Sequence, residues 1–95
     1  MKSFRYIAVD WQHDHADEPV RLFSEVDSSG WEKRKVEEFR DGRKLHADAT
    51  TRSGDTRLGE KAIPSILEIS KDPQFLPREI SKEEFERVWI EAKHS

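Results

Sequence analysis

Apolar and polar residues alternate along the first half of the chain with the period of two that is typical of β-strands. The alternation predicts four strands, over residues 4–11, 20–26, 31–40 and 43–48. Both faces of the first strand are apolar, with Ile7 and Val9 on one face and Tyr6 and Ala8 on the other. Such a strand is expected in the interior of a sheet, or covered on both of its faces.

Short polar turns join these strands into an antiparallel meander. Residues 27–30 read Asp-Ser-Ser-Gly, in which Asp and Ser side chains can bond the local backbone and Gly accepts a positive φ. The pair Asp41-Gly42 predicts a two-residue type I′ turn, because both central positions of that turn need a positive φ.

The third predicted strand does not keep one parity. Trp31 and Phe39 fall on one face, whereas Val36 falls on the other. The strand therefore carries a β-bulge, or Val36 packs on a second, partly covered face of the sheet. Trp31 and Trp89 are both expected in the core.

Two helices are predicted after the strands. The first covers residues 63–72, with Ser65 and Glu68 spaced as a capping box. The second begins after Ser81, and its apolar stripe has the spacing of one helix face: Phe85, Val88, Trp89 and Ala92. Both helices are expected to pack on the same face of the sheet.

These elements predict an α+β fold of one domain over residues 1–95: a two-layer structure in which two C-terminal helices cover a four-stranded antiparallel meander. Residues 49–61 show no periodicity and are expected to form the longest and most mobile loop. Whether that loop is functional or disordered stays open at this point.

Composition narrows the class of protein. Charged residues make up 39% of the chain, but the net charge is only −3 and three Trp and five Phe are present, which favours a folded domain over disorder. The absence of cysteine excludes disulfides, thiolate nucleophiles and cysteine-ligated metals. No apolar run approaches the ~20 residues of a membrane span, and the N-terminus lacks a signal-peptide pattern, so a cytoplasmic protein is expected.

Catalytic patterns are missing. No serine lies in a Gly-x-Ser-x-Gly motif, and the four glycines form no phosphate-binding loop. Adjacent carboxylates such as Glu37 and Glu38 point to opposite faces of a strand and cannot share a proton. We therefore expect a protein that is not an enzyme and that uses no cofactor.

His13-Asp14-His15, with Asp17 and Glu18, comes closest to a metal site, since two imidazoles and a carboxylate can form a facial triad. The residues are consecutive in a loop, however, and a solvated polar turn without metal is expected. His13 can instead fix the loop by a local hydrogen bond.

Basic residues raise a nucleic-acid alternative. Lys33, Arg34 and Lys35 lie near aromatic side chains, as in platforms that bind single strands, but neighbouring glutamates cancel their field. The alternative function is a small regulatory nucleic-acid-associated domain, for which the candidate residues are Arg21, Lys33, Arg34, Lys35, Arg40 and Arg43.

Recognition of another protein is the leading hypothesis. Tyr, Trp and Arg are the residue types enriched at binding hot spots. The candidate partner-binding residues are Asp14, Asp17, Glu18, Glu32, Arg34, Glu38 and Arg40.

The chain also resembles a family of small bacterial proteins of unknown function. The resemblance rests on Gly-Trp-Glu-x-Arg-Lys-Val-Glu over residues 30–37, Glu-Phe-x-x-x-Trp over 84–89, and shorter matches along nearly the whole chain. By size and type, such proteins are similar to immunity proteins of bacterial toxin systems. The resemblance implies a module that neutralises a cognate toxin by occluding it, and it assigns no functional residue.

Overall fold

Five antiparallel strands form one sheet in the part of the chain that the structure describes. The structure is a computed structural model, and it describes residues 3–52, 54, 56–60 and 62–94. The elements, in chain order, are β1 (Arg5–Trp11), β2 (Arg21–Val26), β3 (Glu32–Glu38), β4 (Lys44–Ala47), α1 (Ile66–Ile69), β5 (Phe75–Glu79) and α2 (Lys82–Lys93). The spatial order of the strands is β4-β3-β2-β1-β5. The α+β class and the four-stranded meander are thus confirmed, whereas the number of strands was predicted one too low.

The missed strand, β5, contains a proline, which removes a donor from a hydrogen-bonded ladder and argues against a strand. The ladder shows why Pro77 is tolerated. Gln12 N–H donates to the Gln74 carbonyl (2.8 Å) and Ile80 N–H donates to the Tyr6 carbonyl (2.9 Å). Because bonded and non-bonded pairs alternate between antiparallel strands, the Val9–Pro77 pair is a non-bonded one. The proline nitrogen therefore faces the open edge of the sheet, where no ladder bond is lost.

The Asp41-Gly42 reversal is not the predicted type I′ turn. Gly42 has a φ of 92°, but no described non-glycine residue has a positive φ, so Asp41 does not take the conformation that type I′ requires. Gly42 N–H donates to the Phe39 carbonyl (2.9 Å) and Phe39 N–H to the Arg43 carbonyl (2.8 Å). This pattern is a three-residue loop built from a type I turn followed by a left-handed glycine.

The turn between β2 and β3 repeats this design. Gly30 has a φ of 90°, and its N–H donates to the Asp27 carbonyl (3.0 Å). The Asp27 carboxylate accepts from the backbone N–H groups of Ser29 and Trp31, both at 2.9 Å. The predicted side-chain capping of this turn is confirmed.

The main core lies between one face of the sheet and α2. Tyr6, Ala8, Phe23 and Val36 alternate with residues of the opposite face and pack against the predicted helical stripe. Ser81 caps α2 by accepting from Glu84 N–H at 3.0 Å, and Ile80 before the cap and Phe85 after it are both buried.

The parity break in the third predicted strand is a β-bulge. Glu25 pairs with Arg34, but the next residue, Val26, pairs with Glu32, which leaves Lys33 without a partner in the ladder. Val36 then lies opposite Phe23 under α2. Trp31 precedes the strand and is 45% exposed, so its predicted place in the core was wrong, whereas Trp89 is buried as expected.

The second face of the sheet is covered by residues 56–60, 62–65 and α1, not left open. Thr56 is 2% exposed, and its hydroxyl donates to the Glu37 carboxylate on β3. Ile63 N–H donates to the Gly30 carbonyl at 2.6 Å. Ser53, Asp55 and Lys61 of the predicted mobile loop lie outside the described residues.

The short helix α1 lies on this second face, which corrects the prediction that both helices share one face. Ile69 lines the same hollow as Ile7 and Val9, and these two alternate along β1 with the residues that pack on α2. The sheet therefore has an element on each side. The predicted two-layer arrangement is replaced by a sheet between α2 and the segment that ends in α1.

Candidate functional site

The acidic loop, residues 12–18, is held in place by the ring of His13. The Nδ1 atom of His13 accepts from the backbone N–H of His15 (2.9 Å), so the ring proton is on Nε2, which donates to the Pro19 carbonyl (2.7 Å). The same ring lies 4.3 Å from the Trp11 ring, centroid to centroid. The predicted local role of His13 is confirmed.

Arg40 fastens the acidic loop from the other side. Its Nη2 atom donates to the His13 carbonyl at 2.7 Å, which ties the loop to the turn that follows β3. The backbone of the loop is thus anchored at both its own end and the β3–β4 turn.

Three carboxylates of the acidic loop face solvent. Asp14, Asp17 and Glu18 are all exposed, and none of them makes an ion pair with another described residue. Trp11 and His15 line a shallow hollow together with residues 16–18. The loop therefore presents carboxylates next to an aromatic ring on a fixed backbone.

Glu32 has a different environment from these loop residues. It is 6% exposed, and its carboxylate accepts from the Ser24 hydroxyl (2.6 Å) and from Gly59 N–H (2.8 Å). These bonds join β2, β3 and residues 56–60. Glu32 holds the second face together and does not lie on the outer surface.

Arg34 is also engaged inside the fold. It forms two bidentate ion pairs, with Glu25 on β2 (2.7 and 2.8 Å) and with Glu86 on α2 (2.6 and 2.9 Å). The guanidinium lies 4.9 Å from the Phe85 ring centre and 5.1 Å from that of Trp89, within the range of cation–π attraction. Arg34 thus joins the sheet to α2.

The charges around Arg34 shift its partners' protonation. Hydrogen bonds from Arg34 hold the pKa of the Glu25 carboxyl below its ordinary value, against the opposing effect of burial. The same guanidinium lowers the pKa of Glu86. Tyr6 donates its hydroxyl to Glu25 at 3.0 Å, and burial, followed by this bond, raises the pKa of the phenol. All three groups are held in their usual forms at neutral pH.

Glu38 is shared by two cations, Arg21 at 3.0 Å and Lys44 at 3.3 Å, and its side chain is 20% exposed. Of the seven candidate residues, the structure brings four together in the acidic loop and directly beside it: Asp14, Asp17, Glu18 and Arg40. Their role in partner binding stays a prediction. Glu32, Arg34 and Glu38 are occupied by internal bonds.

The basic residues of the nucleic-acid alternative do not gather on one surface. Arg21 pairs with Asp10 (2.7 Å) as well as with Glu38, and Lys33 lies 3.6 Å from Asp27. Arg34 and Lys35 are neighbours on β3 and therefore point to opposite faces. This arrangement provides no continuous cationic groove among the described residues.

No group of three or more His, Asp or Glu side chains in the described residues is arranged to hold a metal ion. Both ring nitrogens of His13 are already used in hydrogen bonds. No helix within the described ranges is long and apolar enough to cross a membrane.

A cavity of about 400 Å³ opens between the second face of the sheet and α1. Its floor is formed by Ile7, Val9, Leu22 and Ser24, and its walls by Glu32, Lys35, Gly59, Ile63, Pro64, Glu68, Ile69, Asp72 and Phe75. The sequence signal for it was the apolar character of both faces of β1, which was compatible with an interior strand as well as with a second covering layer. A larger hollow of about 540 Å³ runs along the outer face of α2 alone, so one element lines it and nothing opposes that element.

The cavity and the acidic loop adjoin each other. The Trp11 ring lies 6.0 Å from the Phe75 ring, centroid to centroid, and Phe75 is part of the cavity wall. Trp11 also donates its indole N–H to the Gln74 side chain at 3.4 Å, two residues beyond Asp72 on the cavity rim. One surface therefore runs from the cavity across these two aromatic rings to the loop.

Comparison with known proteins places the chain in a family without an assigned activity. No curated protein matches the chain. No solved structure matches it. The profile of one family, described as a domain of unknown function, DUF6881, matches residues 5–94. The chain therefore belongs to the DUF6881 family.

Proposed function

We propose that this protein is a non-enzymatic protein-binding module, and most concretely an immunity protein that neutralises a cognate bacterial toxin by occluding it. The observation that carries the proposal is the fixed acidic loop. Its three exposed carboxylates have no ion-pair partner among the described residues, whereas many other charges of the molecule are paired.

The anchoring of this loop favours binding. Association costs free energy when a flexible loop must be ordered, and a loop that is already held in place avoids much of that cost. Here the His13–Pro19 and Arg40–His13 hydrogen bonds hold the backbone before any partner arrives. Trp11, half-buried beside the loop, is of the residue type most enriched at hot spots.

The charge of the loop favours a partner with a basic surface. Unpaired carboxylates on one side of a protein attract a positively charged surface and raise the association rate, an effect that salt weakens. A toxin with a basic groove, such as one that acts on nucleic acid, would meet this surface and be covered by it. Occlusion needs only a rigid scaffold with a complementary surface and no chemistry of its own.

The first test is to co-express the protein with the product of the adjacent gene and to measure whether the two form a complex. The second test is to delete the chromosomal gene for this protein and to measure whether the cell becomes sensitive to the neighbouring product. We expect a stable complex, and sensitivity to the neighbouring product when this protein is deleted. Absence of both a complex and sensitivity would refute the proposal. The variant Asp14→Asn/Asp17→Asn/Glu18→Gln should slow association about tenfold or more at low salt.

A matched control is available elsewhere on the surface. Glu60, Glu79 and Glu83 are exposed and lie outside the acidic loop, so Glu60→Gln/Glu79→Gln/Glu83→Gln removes the same formal charge. Equal slowing by the two triple variants would show that net charge, not the loop, governs association. For the nucleic-acid alternative, a gel-shift titration at two salt concentrations decides, since phosphate binding weakens steeply with salt.

A further inference from the structure

We infer that the shallow hollow beside Trp11, which His15 and residues 16–18 also line, receives the guanidinium group of one arginine side chain of the partner protein. The inference rests on the protein-binding function proposed above and names the chemical group that the acidic loop binds. The family match assigns no ligand to this hollow.

Four aromatic rings form a continuous row that ends at this hollow. Neighbouring ring centroids lie 6.0 Å apart from Phe75 to Trp11, 4.3 Å from Trp11 to His13 and 5.5 Å from His13 to His15. The indole N–H of Trp11 donates to the Gln74 side chain at 3.4 Å, which further fixes the direction of the ring. A flat cation can therefore lie against rings that need no ordering on binding.

The hollow has a volume of about 440 Å³ and is lined by acidic side chains and by no lysine or arginine of the described chain. Asp17 and Glu18 are exposed, and neither makes an ion pair with another described residue. Asp14 adds a third exposed carboxylate to the same loop. The neighbouring Arg40 uses its Nη2 atom to bind the His13 carbonyl. The charges that line the hollow thus favour a cation.

The same chain shows how it holds an arginine inside the fold. Arg34 binds two carboxylates, Glu25 and Glu86, and its guanidinium carbon lies 4.9 and 5.1 Å from the ring centres of Phe85 and Trp89. Two aromatic rings and two carboxylates therefore surround one guanidinium. The lining of the hollow in the acidic loop contains the same set of groups, two aromatic rings and two carboxylates, at the surface.

This set of groups selects arginine over lysine. A guanidinium is planar, so it can stack on an aromatic ring while the N–H groups at its edge donate to carboxylates. A lysine ammonium is a point charge without a flat face, and it can make only part of these contacts.

The other exposed tryptophan lacks these surroundings. Trp31 is 45% exposed, and its backbone N–H donates to the Asp27 carboxylate at 2.9 Å. That carboxylate also accepts from Ser29 N–H and already lies 3.6 Å from the Lys33 ammonium. Exposure of an indole ring is thus not sufficient for the proposed site, and Trp31 serves as an internal control.

The probe is acetyl-arginine-methylamide, added at millimolar concentration to the isotope-labelled protein and followed by NMR. The indole N–H signals of the three tryptophans report on their surroundings separately. We expect saturable shifts of the Trp11 indole and the His15 amide, with the Trp31 and Trp89 indoles unchanged. Acetyl-lysine-methylamide should bind at least about threefold more weakly, and the neutral citrulline analogue should give no saturable shift.

Two variants locate the binding. Trp11→Leu removes the ring and should abolish the shift of the His15 amide. Asp17→Asn/Glu18→Gln keeps the side-chain volumes but removes both charges, and it should weaken binding of the arginine probe at least about fivefold. The charge variant keeps the test valid if Trp11→Leu does not fold.

Matched controls lie elsewhere on the surface. Trp31→Leu and Glu79→Gln/Glu83→Gln change the same residue types at exposed positions and should bind the arginine probe as the natural protein does. In the complex with the adjacent gene product, Trp11→Leu should raise the dissociation rate about tenfold or more, as for a hot-spot residue, and Trp31→Leu less than about twofold.

The contrary results are equally specific. Equal binding of the arginine and citrulline analogues, equal shifts at Trp31, binding that the charge variant leaves unchanged, or no saturable shift would each overturn the inference. So would a complex whose dissociation rate Trp11→Leu leaves unaltered, although the protein-binding function would then stand. If the probe binds selectively but neither a complex nor toxin sensitivity is found, the proposed function is refuted, and the partner arginine with it.

Discussion

Arg34 on β3 and Glu86 on α2 are 52 positions apart in the sequence and form a bidentate ion pair, with N–O distances of 2.6 and 2.9 Å. The same guanidinium binds Glu25, whose side chain is 10% exposed. Arg34 also lies against the rings of Phe85 and Trp89. It therefore neutralises the two carboxylates at the point where the helix meets the sheet.

Loss of this arginine is expected to destabilise the fold strongly. Arg34→Met keeps the aliphatic stem but leaves the Glu25 carboxylate buried without its cation, a change that costs about 3 kcal/mol or more. Chemical denaturation measures the loss. Lys33→Met, at the neighbouring bulge position, removes a half-exposed ammonium that lies 3.6 Å from its carboxylate partner and should cost less than about 1 kcal/mol. Similar losses of unfolding free energy for both variants would show that the Arg34 ion pairs contribute no more to stability than the Lys33 pair does.

Acid should weaken the fold through the same network. The pKa values of Glu25 and Glu86 are lower in the folded protein than their ordinary values. Their contribution is therefore complete above the ordinary carboxyl pKa of about 4.3 and is lost as the pH falls through the lower folded values. The free energy of unfolding, measured between pH 7 and pH 2, should decline in that window.

The variant Glu25→Gln/Arg34→Met provides the control for this acid effect, because it removes the buried carboxylate together with its cation. Its unfolding free energy should depend less on pH below the ordinary carboxyl pKa than that of the natural protein. An unchanged slope would assign the acid sensitivity to other carboxylates. Asp48 is the chief alternative, since backbone hydrogen bonds from Thr50 and Thr51 lower its pKa to about 2.

Local signals predicted some elements well. The N-terminus of α2 was predicted correctly after Ser81, because the apolar stripe of the helix begins only four residues later, at Phe85. The side of the sheet that α1 occupies was not predictable in this way. Ile66 and Ile69 show only that the helix has an apolar side, and the face it meets is set by residues far away in the sequence.

Charges were the hardest part of the site to predict. Glu32, Arg34 and Glu38 looked like surface residues because a strand of alternating charges is usually solvated. Their partners lie on other strands, on α2 and in residues 56–60, so only the assembled fold shows that they are occupied. The acidic loop could be predicted from the sequence, because its charged residues are consecutive. The hydrogen bond that fixes it, from His13 to the Pro19 carbonyl, spans only six positions.

The turn after β3 allows a direct test of its geometry. Gly42 has a φ of 92°, and a Cβ built on it would meet nothing within 4 Å, so Gly42→Ala should lose about 1–2 kcal/mol from backbone strain alone. Gly42→Asn should lose less, since Asn tolerates the left-handed region. Asp41→Ala should lose the bond that its carboxylate accepts from Arg43 N–H at 2.9 Å. If Gly42→Ala proves as stable as the natural protein in thermal unfolding, the left-handed conformation is contradicted.

The edge strand β5 leads to the last prediction. An open edge invites pairing with another chain, and Pro77 removes the donor at the middle of this edge. Phe75 N–H is already used, since it donates to the Asp72 carbonyl at 3.0 Å. Pro77→Val supplies a free N–H in a residue that favours strands, and we expect it to increase concentration-dependent self-association in sedimentation velocity relative to the natural protein.

The control for this edge effect is Pro73→Ala, which removes a proline from the preceding turn and leaves the edge unchanged. It should sediment as the natural protein does at every concentration. Pro77→Val should also keep its fold, because the Val9–Pro77 pair makes no ladder bond that the substitution can disturb. If Pro77→Val sediments without any concentration dependence beyond that of the natural protein, the proline does not protect the edge, and its place in the strand has another cause.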